Sequence, residues 1–210
     1  MRAGGVDFAV LGACETDTGD VARRLGDEAT FQLLAGRLMR TLSHLTFQRI
    51  VTADPHILHS LRNEYPALGG HYHVLHHTSL LAQLAATGRL RLKPADSPAP
   101  LTYHDPCYLG RYNGETEAPR ELLRHLGMTV NEMTRHGLNG RCCGGGGGAA
   151  LTDIPGERRI PDIRIQDARD VGAQRVVVAC PNCTAMLEGV VGPRPDVRDI
   201  AELVADALEA

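Results

Sequence analysis

The sequence predicts an α/β fold made of two pseudo-repeated halves with mostly parallel strands. Three observations carry this expectation. Short β-type runs alternate with longer helical ones along the whole chain. Two strand exits repeat, Ile50-Val-Thr-Ala-Asp54-Pro-His-Ile57 and Val176-Val-Val-Ala-Cys180-Pro-Asn-Cys183, at an offset of 126 residues. The same offset carries Asp17 onto Cys143 and Gly19 onto Gly145, and paired spacing of this kind argues for duplication rather than chance.

The elements follow in order. Residues 6–11 are an apolar run and read as a buried strand. Helical periodicity covers residues 28–45, with Phe31, Leu34, Leu38 and Leu42 on one face. Residues 49–53 are the next strand, followed from Asp54-Pro55 by a short helix that runs to about residue 64 and is stopped by Pro66 and Gly69-Gly70. Residues 73–76 form a strand, and Thr78 is placed to cap a helix over 79–86. Residues 88–100 are polar, hold three prolines and read as a linker. Strands are then expected at 101–104, 129–133 and 175–179, and helices at 118–126, 160–171, from 185 to 190, and at 200–208. Two domains result, 1–95 and 99–210.

Composition excludes several classes. Lys plus Arg number 22 against 25 Asp plus Glu, so no basic excess is available to hold nucleic acid or an anionic membrane. No apolar run approaches the roughly 18–20 residues of a membrane span, and the start lacks an apolar signal core. A reducing, cytoplasmic location is expected, where structural disulfides are rare.

The six cysteines therefore point to metal or redox chemistry. Five of them, Cys107, Cys142, Cys143, Cys180 and Cys183, lie in the C-terminal half. Thiolates at the ends of parallel strands converge outside the carboxyl edge of the sheet. The Cys180-x-x-Cys183 turn sets two sulfurs at a helix start, where the dipole favours thiolate. Adjacent cysteines point apart, so Cys142-Cys143 suits a polynuclear site, and five candidates exceed the four that a structural zinc needs. Gly144 and Gly145 allow close backbone approach and offer N–H groups to sulfur. A four-cysteine zinc site and a disulfide remain alternatives. Residues 144–148 match neither a Walker A loop nor a spaced dinucleotide fingerprint.

Cys…Cys-Cys-Gly…Cys-x-x-Cys, with Tyr103-His-Asp-Pro-Cys107 and Arg141-Cys-Cys-Gly144, resembles the CCG cysteine-rich domain family. That family includes the cysteine-rich subunit of heterodisulfide reductase and the Fe–S subunits of glycolate and lactate oxidation. Thr152-Asp-Ile-Pro-Gly-Glu157 and Cys180-Pro-Asn-Cys-Thr-Ala-Met-Leu-Glu188 are most similar to the Fe–S proteins of bacterial dimethylglycine and methylated-betaine demethylation. The resemblance implies one [4Fe-4S] cluster, non-cubane in the best-known relatives, held by the five cysteines named above. It implies an electron-transfer subunit working with a flavoprotein dehydrogenase or electron-transfer flavoprotein and with other Fe–S subunits. Flavin would reside only in the partner, and any contact with the inner face of the membrane would come through partners. Thiol–disulfide reduction at the cluster and a non-enzymatic zinc-stabilised module are the rival readings.

The family usually has cysteine where this chain has Asp17, Asp54 and Ile57, and the counterpart of Cys107 would fall before residue 1. The N-terminal half is therefore expected to be a degenerate, truncated copy acting as scaffold. His104 and Tyr103, just before Cys107, are placed to tune a cluster by hydrogen bonds. In relatives the His76-His77-Thr78 segment lies near the cofactor region, so the resemblance makes His77 a candidate to line a cleft. Asp20, Arg23 and Arg24 are as readily surface ion pairs as functional groups. Cys14 has no assigned role.

Overall fold

A computed structural model describes residues 1–95, 99–151 and 155–209. The architecture is mixed α/β with parallel sheets. The N-terminal half contains α1 (Asp20–Arg24), α2 (Glu28–Ser43), β1 (Ile50–Thr52), α3 (Pro55–His59), β2 (Val74–His76) and α4 (His77–Ala86). The C-terminal half contains β3 (Leu101–Tyr103), α5 (Cys107–Gly110), α6 (Glu117–His125), α7 (Ile160–Asp170), β4 (Arg175–Val178), α8 (Pro181–Glu188), β5 (Asp196–Asp199) and α9 (Ile200–Asp206). Strands β1 and β2 pair in parallel, Ile50 opposite Val74. Strand β4 is the centre of a second parallel sheet, with β3 on one side and β5 on the other.

Local chemistry explains the elements. Helix α2 starts at Asp27, whose carboxylate accepts the Thr30 amide at 3.0 Å. It buries Phe31, Ala35, Leu38 and Leu42, the one stripe its spacing provides. Helix α9 opens with a capping box between Asp199 and Glu202. One core joins the two halves: Leu80, Leu81 and Leu84 of α4 pack with Leu122 and Leu123 of α6 and Leu203 and Val204 of α9. Leu109 of α5 in turn enters the cluster built on α2.

Several expected elements differ. Residues 6–11 form no strand: Phe8 and Val10 are exposed, and no strand among the described residues offers a ladder to them. Over 129–133 only Val130 bridges Leu101, so the expected strand shrinks to one pair beside β3. Helix α4 begins at His77 with His76 as its N-cap, so Thr78 is inside it. The Thr78 hydroxyl instead meets His76 Nδ1 at 2.7 Å. Helix α8 starts at Pro181 rather than 185, because proline is well suited to a first helical position. The short helix after Asp54 is α3, continued by a π turn over Ser60–Glu64. The expected linker carries a bridge from Leu92 to Leu208 and a Lys93 amide bond to Ala207 O, while its residues 96–98 lie outside the described ones.

His76 and His77 sit side by side, both buried. His76 Nε2 donates to Ala53 O at 3.3 Å. Burial holds His76 down to about 4 and His77 to about 3. Unfolded histidines take up protons near pH 6.5 and these two do so only below about 4, so the unfolded chain binds more protons between those values. Stability is therefore full above pH 6.5 and falls as pH drops toward 4. His76 alone should account for a loss of about 3 kcal/mol. Urea unfolding at pH 7 and pH 4.5 measures it: the loss should shrink in His76→Asn, and an unchanged slope in that variant would contradict the assignment.

Candidate metal centre

Each cysteine of the candidate set is delivered by a strand end or a tight loop. Strand β3 runs through His104-Asp105-Pro106 into Cys107, the first residue of α5. Strand β4 ends in Ala179-Cys180, and Cys180 is the N-cap of α8, with Cys183 in its first turn. Cys142 and Cys143 enter from the loop between the 3-10 turns Gly137–Asn139 and Gly146–Leu151. All five are free thiols. Cys143, Cys180 and Cys183 are buried, and Cys107 and Cys142 are partly exposed.

The five sulfurs form one unbroken series. Cys107 and Cys142 are 3.9 Å apart. Cys142 meets Cys143, Cys143 meets Cys183, and Cys183 meets Cys180. Five thiols so crowded cannot ionise independently. Hydrogen bonds from Cys107 and Cys143, with backbone amides behind them, hold Cys142 far below the ordinary thiol range. Its neighbours move the other way: the contact with Cys142 drives Cys107 far up and Cys143 up to about 12. The Cys183 hydrogen bond lowers Cys180, while contacts with Cys143 and Cys180 raise Cys183. A bound cation would let neighbouring thiols of this kind ionise together.

Backbone N–H groups point at the sulfurs. Gly144 N donates to Cys142 Sγ at 3.2 Å and Gly145 N to Cys143 Sγ at 3.4 Å. Gly144 holds φ +95°, and a Cβ there would lie 2.9 Å from Pro161. At Gly145 a Cβ would meet Met186 at 3.0 Å and sit 3.6 Å from Cys143 Sγ. Gly144 is thus required by its left-handed backbone and close packing, and Gly145 leaves room for Met186 beside the sulfurs. An open cavity of about 450 Å³ reaches Cys107 and Cys142, with Arg24, Tyr108, Arg111 and Tyr112 in its wall.

His104 is fully buried, and one of its ring nitrogens lies within 4.8 Å of the Cys143 and Cys183 sulfurs. Burial, then the Arg164 charge, holds it at about 3 and keeps the ring neutral. Its Nε2 has no hydrogen-bond partner among the described residues. Tyr103 is also fully buried, with the Arg120 guanidinium 5.3 Å from its ring centre. His77 is absent from the cavity wall and faces Asp199 at 3.7 Å. Of the segment 152–157, residues 152–154 lie outside the described ones.

The segments matched at the 126-residue offset share some local hydrogen bonding. Gly19 N donates to Asp17 Oδ1 at 2.5 Å, as Gly145 N does to Cys143 Sγ. Asp54 is the N-cap of α3 and accepts the His56 amide at 2.7 Å, and Cys180 holds the same N-cap position on α8. The two strand exits approach each other, and ligand atoms of Asp54, His56 and Cys180 fall within 4.8 Å of one another. Asp20 belongs to this buried face. It takes a hydrogen bond from His56 Nδ1 at 2.9 Å and pairs with Arg24 at 3.1 Å. Arg23, which meets Glu28, is the more exposed partner.

Cysteines gathered at the carboxyl ends of parallel strands, with glycine amides on their sulfurs, define a cysteine-rich redox or metal domain. Residues 101–188 match the model of the cysteine-rich domain family, CCG. The whole chain is 59% identical to a probable membrane-anchored ferredoxin of Chromohalobacter salexigens, covering 32% of that protein. Over 99% of its length it is 38% identical to the probable iron-sulfur-binding oxidoreductase FadF of Bacillus subtilis, covering 30% of it. Over 97% of its length it is 33% identical to one subunit of the dihydromethanophenazine:CoB–CoM heterodisulfide reductase of Methanosarcina barkeri, covering 52% of that protein. The chain thus spans about a third of the first two relatives and about half of the third. No helix among the described residues is long and apolar enough to cross a membrane.

Sequence reasoning missed Arg164, although a signal existed. Pro161, Ile165 and Ala168 mark the buried face of α7, and Arg164 falls on that face. The approach of His56 and Asp54 to Cys180 had no sequence signal, because it depends on how the two halves meet.

Proposed function

We propose that this chain is the cluster-bearing part of an iron–sulfur electron-transfer protein in a flavin-linked oxidoreductase system. One [4Fe-4S] cluster would be held by Cys107, Cys142, Cys143, Cys180 and Cys183. The observation that carries the reading is the unbroken contact series of five free thiols drawn from three separate segments. Such a cluster, when bound, stores and passes single electrons. Around it the Gly144 and Gly145 amides donate to ligand sulfurs. The orphaned His104 Nε2 supplies a further donor. Met186 and Pro161 close the buried side, and the Cys107–Cys142 side meets the open cavity, where electrons would be exchanged. A relative in Syntrophomonas wolfei, 36% identical, is an EtfAB:quinone oxidoreductase. Its name supports an electron-transfer flavoprotein as donor, and the methylated-amine dehydrogenases suggested by the sequence are flavin donors of the same class.

The test uses anaerobically reconstituted protein. A reduced electron-transfer flavoprotein should bleach the visible absorbance and generate an EPR signal. Bleaching by dithionite but not by any flavoprotein would overturn the flavin link. The cavity beside Cys107 and Cys142 favours one second reading, reduction of a small disulfide at the site. Disulfide turnover with an artificial reductant would support it.

A further inference from the structure

Among the described residues Arg164 is the largest side chain that is almost wholly buried, 1% exposed on α7. A guanidinium in such a place is costly unless its donors are used. Its Nε donates to His104 Nδ1 at 3.0 Å, and its Nη1 donates to Arg135 O at 2.9 Å and lies 3.4 Å from the Asp167 carboxylate. Asp167 is itself held by Arg141 at 2.8 Å.

The bond to His104 has a chemical consequence. Guanidinium nitrogens only donate, so Nδ1 must accept and cannot carry a proton. The proton of the neutral ring is then on Nε2. That N–H is buried, has no hydrogen-bond partner among the described residues, and belongs to a ring with a nitrogen within 4.8 Å of the Cys143 and Cys183 sulfurs. An imidazole whose Nδ1 lone pair is occupied and whose Nε2 is protonated cannot ligate a metal, but it can donate to sulfur.

We propose that Arg164 is a positioning residue. It fixes His104 as the Nε2–H tautomer, so that the ring donates an N–H···S hydrogen bond to the group held by Cys143 and Cys183 and is excluded as a ligand. This inference rests on the cluster reading above for its effect on potential, but not for the tautomer. Donation to a sulfur of that group stabilises the more negative, reduced state and raises the reduction potential. Without Arg164 the ring is free to turn a lone pair toward the sulfurs, and the potential falls.

The experiment combines two readouts on the whole chain labelled with 15N-histidine, His104 being assigned by its loss in His104→Phe. Two-bond 1H–15N correlation should show His104 as the Nε2–H tautomer in the wild type. It should show the Nδ1–H form or a mixture in Arg164→Met, and the Nε2–H form again in Arg164→Lys, which keeps a donor. In reconstituted samples with equal iron, EPR-monitored titration should place Arg164→Met at least tenfold toward the oxidised form at fixed potential. For a one-electron couple that is about 59 mV. The same substitution in a His104→Phe background should shift it less, because only the lost charge remains. A wild-type Nδ1–H or cationic His104, or an Arg164→Met protein with unchanged tautomer and potential, overturns the proposal. Absence of iron in the wild type would instead sink the cluster reading, while the tautomer spectrum still decides the role of Arg164.

Discussion

Replacing Cys183 with serine should strip most of the iron from the reconstituted protein, from about four atoms per chain to below about one. Cys183 is 2% exposed and stands between Cys143 and Cys180 in the sulfur series. A serine hydroxyl there is a poor ligand for iron, and burial disfavours its ionised form. Of the side chains near Cys183, the His104 ring already accepts a hydrogen bond from Arg164 at Nδ1. Cys14→Ser provides the contrast. Cys14 is exposed on the Gly12–Cys14 turn, and its loss should leave the iron count unchanged. Iron analysis of the two variants beside the wild type reads both outcomes. Full iron in Cys183→Ser would remove that residue from the ligand set.

The second large effect belongs to Asp105, which touches no sulfur partner yet holds the Cys107 segment in place. It is 2% exposed and takes both arms of the Arg120 fork, at 2.8 and 3.0 Å. It also accepts the Gly137 amide at 2.7 Å, tying β3 to the turn that leads into Cys142. Arg120 is anchored from the far side by Glu132 at 2.6 Å. Removing one member of a buried pair costs about 3–5 kcal/mol, because the other is left charged and without its partner. Asp105→Ala should lose that much in urea unfolding and should load iron poorly. Arg120→Met should cost a similar amount, and the double variant should cost less than the sum of the two. A loss below about 1 kcal/mol in Asp105→Ala would show that the pair is not what fixes the loop.

What the sequence revealed and what it concealed follow from the range of each interaction. The strand exits at Asp54 and Cys180 were legible because a cap followed by proline is a local signal, and both became helix N-termini. The parallel alternation was legible for the same reason. Residues 6–11 misled because apolar content predicts burial only if a neighbour is there to receive it, and Phe8 and Val10 remain exposed. Strand β5 escaped notice because Asp196-Val-Arg-Asp199 is an edge strand with one buried apolar residue, Val197. The five cysteines stood out by type and spacing. The surroundings that give them their chemistry did not, because they are tertiary: Arg164 reaches His104 from sixty residues away, and His56 comes to Cys180 from the other half of the chain.

The central claim is that five cysteines hold one iron–sulfur cluster. Iron and acid-labile sulfide, counted against protein in anaerobically reconstituted wild-type chain, test it most directly. The account predicts about four of each per chain, with brown colour. A single zinc per chain in well-folded, colourless protein that takes up no iron would contradict it.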